Sequence, residues 1–131
     1  MKTILVDAVY VSIIQNDDGN WIQFKELFEL LDTYCNPKVI VTNASDDKYE
    51  LYGLNNLPYS FFTMKHNPDK PDPVYFKTLL EQYTWQPTDV IYFEHDPEAV
   101  KSAESVGITS YHYDKDKKDL TALKQFLDQN T

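Results

Sequence analysis

Five short runs rich in Val, Ile, Tyr and Phe alternate with longer segments of helical period, and this alternation sets the fold class. The runs at 3–9, 38–41, 59–63, 89–93 and 109–113 are nearly continuous in apolar side chains, as strands must be when helices cover both of their faces. Between them, Phe24, Leu27, Phe28 and Leu31 recur at spacings of three and four, and Pro37 follows the end of that helix. A shorter helix is predicted over 45–52, closed by Gly53. Asp72-Pro73 opens a third, with Phe76, Leu79, Leu80 and Tyr83 on its buried face. Pro97 opens a fourth that runs through Val100 and Ala103 to Gly107, and a fifth over 119–129 turns Leu120, Leu123, Phe126 and Leu127 inward. Repeated strand-helix units of this kind build a parallel sheet between two helical layers.

One stretch departs from the alternation. Residues 11–15 and 20–24 flank Asn16-Asp17-Asp18-Gly19 and predict a β-hairpin around an Asp-Gly turn, overhanging the end of the first strand. No linker or internal repeat divides the chain, so residues 1–131 are expected to form a single domain.

Charge narrows the partners. Twelve lysines and no arginine stand against 21 acidic residues, a net charge of −9, which repels polyanions and argues against nucleic acid. The missing arginines also remove the bidentate phosphate clamp, leaving lysine, backbone amides or a metal cation for any phosphate chemistry. Cys35 has no partner for an internal disulfide, the apolar start is interrupted by Asp7, and no stretch is long enough to span a membrane. These features predict a cytoplasmic protein without membrane partners.

In an open parallel sheet, ligands bind beyond the carboxyl ends of the strands. The first strand delivers Asp7 there, the second Thr42 and Asn43, and the third leads on to Lys65 and Lys70. The fourth delivers Glu94, His95 and Asp96, and the fifth Asp114. Carboxylates, a hydroxyl and a lysine at one edge can hold a hard cation and balance a phosphoryl group.

In their order, these residues resemble the haloacid dehalogenase (HAD) superfamily through nearly the whole chain. The four stations are Ile4-Leu-Val-Asp7, Val39-Ile-Val-Thr42-Asn43, Lys70-Pro-Asp-Pro73-Val-Tyr-Phe76, and the acidic strand end Glu94-His95-Asp96 followed by Ala103 and Gly107. The last two are the specific ones. The resemblance implies an α/β, three-layer Rossmannoid fold with a five-stranded parallel sheet, the Asp7 strand central and flanked by the second- and fourth-motif strands. It makes the hairpin the family's flap, and the short connections leave no room for a cap domain. It further implies that Asp7 attacks a phosphoryl group, that Thr42 and Asn43 bind the phosphoryl oxygens, and that Lys70 offsets negative charge. Mg2+ is implied between Asp7, the backbone carbonyl of Val9, Glu94 and Asp96.

The motifs are eroded at three places. The second Asp that protonates the leaving group in phosphatases of the family is Val9 here, and valine has no proton to give. The Gly-Thr that usually follows is Tyr10-Val11, so a bulky side chain must be accommodated in the turn. Asp-Asp becomes Glu94-His95, which moves the carboxylate out by a methylene.

Plainer roles stand beside these. Thr42 and Asn43 are common turn residues, Asp96 suits the N-cap of the helix opened by Pro97, and Lys70 lies among acids in a polar loop. His95 is expected to be structural or superficial, since His66 and His112 are not at metal-ligand spacing to it. Tyr10, Trp21, Tyr111 and Tyr113 are candidates either for core packing or for an aromatic surface facing a protein partner or a second copy. Two functions follow: a Mg2+-dependent phosphatase-type hydrolase acting on a phosphorylated substrate through Asp7, or a catalytically inactive HAD-like scaffold that binds a protein partner.

Overall fold

The computed structural model describes residues 1–131, and the predicted alternation is present in it. In chain order the elements are β1 (Thr3–Asp7), a hairpin of β2 (Ile13–Gln15) and β3 (Trp21–Gln23), α1 (Lys25–Asp32), β4 (Lys38–Thr42), α2 (Asp46–Tyr52) and β5 (Ser60–Thr63). There follow α3 (Val74–Tyr83), β6 (Val90–Glu94), α4 (Pro97–Ser105), β7 (Thr109–His112) and α5 (Leu120–Asn130). The five long-range strands form one parallel sheet in the order β5-β4-β1-β6-β7, and β2 pairs only with β3. β1 is therefore central, between β4 and β6, as the resemblance implied.

Strand periodicity divides the core in two. Ile4, Val6, Ile40, Ile91 and Phe93 pack toward Leu27 and Leu31 of α1 and Leu123 and Leu127 of α5. Leu5, Val39, Val41 and Tyr92 pack toward Tyr75, Phe76 and Leu79 of α3 and Ala103 of α4. The result is a three-layer α/β/α domain without an inserted cap, since no connection is long enough to hold one.

The first strand is shorter than the sequence suggests: it ends at Asp7 rather than Val9. Ala8 turns out of the sheet to accept hydrogen bonds from the amides of Val11 and Ile13, at 3.1 and 3.0 Å, and Ser12 Oγ donates to the Asp7 carbonyl at 2.8 Å. This turn lifts the hairpin over the carboxyl end of β1. Tyr10 occupies the left-handed region at φ 69°, where the sequence placed a bulky side chain in a tight turn. Gly53 ends α2 at φ 66°, as expected of a C-cap glycine.

Candidate active site

The ends of four strands converge on one cavity of about 290 Å³, whose lining includes Asp7, Thr42, Asn43, Lys70, Glu94 and His95. The sequence-predicted residues thus come together, from β1, β4, the β5–α3 loop and β6.

Asp7 is 2% exposed and lies at the bottom. Its Oδ1 accepts from Lys70 Nζ at 2.7 Å, and its Oδ2 from the His95 amide at 3.2 Å and from His95 Nδ1 at 2.5 Å. Glu94 is fully buried, reaching the same point from β6. Its Oε1 accepts from Lys70 Nζ at 2.6 Å and from the Tyr92 hydroxyl; alternation along β6 puts residues 92 and 94 on one face. Its Oε2 accepts from the Asp96 amide at 3.1 Å and lies 3.1 Å from His95 Nδ1.

Lys70 spends all three of its ammonium protons inside the protein. Besides the two carboxylates, Nζ donates to the Val41 carbonyl at 3.3 Å. Its backbone is held as well, because the Lys70 amide donates to Asn43 Oδ1 at 2.8 Å. Asn43 therefore positions the lysine loop while its amide nitrogen stays free. Thr42 Oγ1 accepts from the Ala44 amide at 3.1 Å, and the Thr42 carbonyl accepts from the Tyr75 hydroxyl at 2.7 Å. Asp96 takes the cap role, accepting from the Glu98 amide at 2.9 Å, and remains on the cavity wall.

His95 is the residue sequence reasoning missed. It was expected to be structural or superficial, yet it bridges Asp7 and Glu94. No local spacing reports this contact, because it needs β1 and β6 to be neighbours; the parallel pairing of Val6 with Phe93 brings residues 7 and 95 together.

Two cations thus face two carboxylates, and the titration of each group follows. Burial and the Glu94 charge raise Asp7 to about 6, against the opposing pull of Lys70. Burial works to raise Glu94 too, but the Lys70 ammonium outweighs it and holds Glu94 well below the usual carboxylate range. Burial would lower Lys70, but Asp7 and Glu94 raise it, so it stays charged. Desolvation opposes the charge on His95, yet its hydrogen bonds to Asp7 and Glu94 lift it to about 9. At neutral pH the cluster therefore has no net charge.

The donors suit a hard divalent cation. Asp7, Glu94 and His95 bring ligand atoms within 4.8 Å of one another, the two carboxylates as oxygen ligands and His95 only once its ring has given up its proton. The amides of the turn bond to the carbonyls of Asp7, Ala8 and Ile13 and leave the Val9 carbonyl unclaimed. Asp7 Oδ2 and Glu94 Oε2 converge on a point already taken by the cationic His95 ring, so the field there favours positive charge.

The sequence matches no protein-family model and no curated protein. Solved structures do match. The D,D-heptose 1,7-bisphosphate phosphatase of B. bronchiseptica, complexed with magnesium and phosphate, superposes with a TM-score of 0.74 at 16% identity, over 100% of both chains. A HAD-family enzyme of Bacteroides thetaiotaomicron in its magnesium complex gives 0.72 at 13% identity, over 94% of this chain and 98% of that one. A HAD-superfamily hydrolase of Geobacter sulfurreducens gives 0.66 at 15% identity, over 86% and 89%. With β1 central, a hairpin flap and no cap, this chain has the HAD-like fold.

Proposed function

We propose that the chain is a Mg2+-dependent phosphatase-type hydrolase that takes a phosphoryl group onto Asp7. The observation that carries this is a buried carboxylate at the end of the central strand, at the floor of a cavity and paired with a buried lysine. Asp7 titrates at about 6, so it is ionised at neutral pH yet more basic than a free aspartate, which suits a nucleophile. The setting also suits an anion, because Lys48 and His66 join Lys70 and His95 on the cavity wall of an otherwise acidic molecule.

An Asp7 oxygen attacks phosphorus and the bond to the leaving oxygen breaks, giving an aspartyl phosphate and the leaving group's oxyanion, which takes its proton from water. Water then attacks the phosphorus, releasing phosphate and restoring the Asp7 carboxylate. Thr42 Oγ1 and the free amide nitrogen of Asn43 are donors for the phosphoryl oxygens, and Lys70 holds Asp7 in its ionised form. Asp7, Glu94 and the Val9 carbonyl would hold the magnesium, which supplies charge neutralisation for the phosphoryl oxygens.

A second reading is a binding scaffold without turnover, which fits a protein partner better than a phosphorylated substrate. It is favoured by one observation: all four carboxylate oxygens of Asp7 and Glu94 are already engaged by protein donors.

Thermal unfolding separates the two without a guess at the substrate, since beryllofluoride mimics a phosphoryl group on aspartate. With magnesium, beryllium and fluoride together, a competent site raises the midpoint by several degrees, about 2.7 kcal/mol at 100 times Kd. Asp7→Asn abolishes the rise. No shift in the native chain would overturn the hydrolase and leave the scaffold.

A further inference from the structure

We propose that the leaving group this site accepts is a planar aromatic ring, so that its substrates are phosphate monoesters of phenols; the inference rests on the hydrolase reading and names its substrate class.

The cavity that holds Asp7 is also lined by three rings, His66, His95 and Tyr52. The last two are joined by an unbroken aromatic chain along the hairpin. His95 lies 5.5 Å from Tyr10, Tyr10 lies 5.4 Å from Trp21, and Trp21 lies 5.0 Å from Tyr52, centroid to centroid. All three contacts are edge-to-face, with interplanar angles of 72°, 61° and 88°. Such rings offer both faces and edges to a further ring.

Trp21 and Tyr52 also pack against the core, but Tyr10 does not. Tyr10 is 41% exposed and holds a left-handed backbone at φ 69°, which a bulky residue adopts only at a cost. Its neighbours over-determine it: Trp21, His95 and the Lys115 ammonium, 5.0 Å above the ring. Tyr10 itself lines the neighbouring hollow beside Lys115 rather than the Asp7 cavity, so its part is to seat His95 and Trp21, and through Trp21 the Tyr52 ring that does face the nucleophile.

The proton inventory points the same way. Val9 has no proton to give, Lys70 donates all three of its own to protein acceptors, and the His95 Nδ1 proton lies between two carboxylates. The side-chain atoms bonded to Asp7 thus have no proton to spare, and a leaving oxygen that departs readily without one is favoured. A phenol, with a pKa of about 10, releases its oxyanion far more readily than an alkanol does. A cavity of about 290 Å³ holds one small ligand of that kind.

The test has a binding arm and a turnover arm, both with the full chain and magnesium. By calorimetry, phenylphosphonate should bind at least tenfold tighter than methylphosphonate. Trp21→Ala and Tyr52→Leu should cut that advantage to threefold or less, while Trp21→Phe keeps it. Having both an indole and a phenol variant guards against one of them failing to fold. In turnover, the ratio of kcat/KM for phenyl phosphate to that for acetyl phosphate should fall about tenfold in Trp21→Ala, chiefly through KM. A phosphotyrosine peptide turned over as well as phenyl phosphate makes the ring's source a protein, and turnover of phenyl phosphate alone makes it a small molecule. Equal binding of the two phosphonates, or a ratio untouched in Trp21→Ala, overturns the aromatic leaving group while acetyl phosphate turnover keeps the hydrolase. Phenylphosphonate preference with no ester and no acetyl phosphate hydrolysed overturns the hydrolase and the substrate class with it.

Discussion

Lys70 Nζ lies 2.7 Å from Asp7 Oδ1, and both side chains are almost wholly withdrawn from solvent. Neither charge would be stable there alone. The ammonium also reaches Glu94 at 2.6 Å, so one cation serves two carboxylates brought in by different strands. A buried pair of this sort contributes little over an apolar replacement of both partners, but breaking it exposes the full cost of the charge left behind.

Lys70→Met should therefore destabilise the fold by about 3–5 kcal/mol. The loss should be largest at neutral pH and shrink on acidification, because Asp7 and Glu94 can then take up protons in place of the ammonium. Urea unfolding at pH 7 and pH 5 checks this. Equal midpoints for the variant and the native chain would show that the ion pair does not form.

His95 sets a stability slope at higher pH. Its folded pKa of about 9 lies above the unfolded 6.5, so its contribution is complete below pH 6.5 and is lost as pH rises to 9. Asp7 acts in a lower window. Its pKa rises from 3.8 to about 6, so its ionisation disfavours the fold progressively between those values and adds no slope above them. Denaturant unfolding from pH 6.5 to 9 should show a fall of about 1–2 kcal/mol, less than the bare shift implies because the ring is partly solvated. His95→Gln should flatten that slope, and a native chain with no slope would remove the imidazolium from the cluster.

Tyr10 inverts the usual ranking of glycine and alanine. At φ 69° an alanine keeps the Cβ strain that glycine lacks, and both lose the ring contacts to Trp21 and His95. Tyr10→Gly should be more stable than Tyr10→Ala by about 1 kcal/mol, whereas glycine is the poorer residue at ordinary backbone angles. Thermal midpoints of the two variants decide it, and the reverse order would place residue 10 outside the left-handed region.

Much of this was legible in the chain. Period and punctuation gave five strands, five helices and the hairpin, because apolar spacing and residues such as Pro97 and Gly53 act locally. Asp7, Thr42, Asn43 and Glu94 could be gathered because each lies at or just beyond a strand end, and a parallel sheet puts those ends at one edge, while Lys70, seven residues beyond β5, was legible through its Lys-Pro-Asp-Pro motif. Two features were not legible. The His95 bridge depends on the lateral pairing of β1 with β6, and the ring chain from Tyr10 to Tyr52 on how the hairpin folds back over α2. Of the four aromatics weighed for a surface, Tyr113 is buried and Tyr111 stacks on Phe126, whereas Tyr10 and Trp21 meet beside the cavity.

Val9 offers the sharpest test of what limits the chemistry. It lines the cavity two residues after Asp7, its carbonyl is free, and its side chain has no proton to pass to a leaving oxygen. Positioned general acids contribute about 10²–10⁴-fold, and an alkyl phosphate needs that help far more than an aryl one. Val9→Asp should therefore raise kcat for an alkyl ester such as glycerol 3-phosphate about 10²-fold, the low end of that range, because a third carboxylate beside Asp7 and Glu94 also repels the phosphoryl group. The gain for phenyl phosphate should be much smaller, so the difference in leaving-group sensitivity between Val9→Asp and the native chain is the quantity to measure. Equal gains for both esters would mean that the new carboxylate acts on metal or substrate binding. No gain for either would show that proton supply at residue 9 does not limit this site.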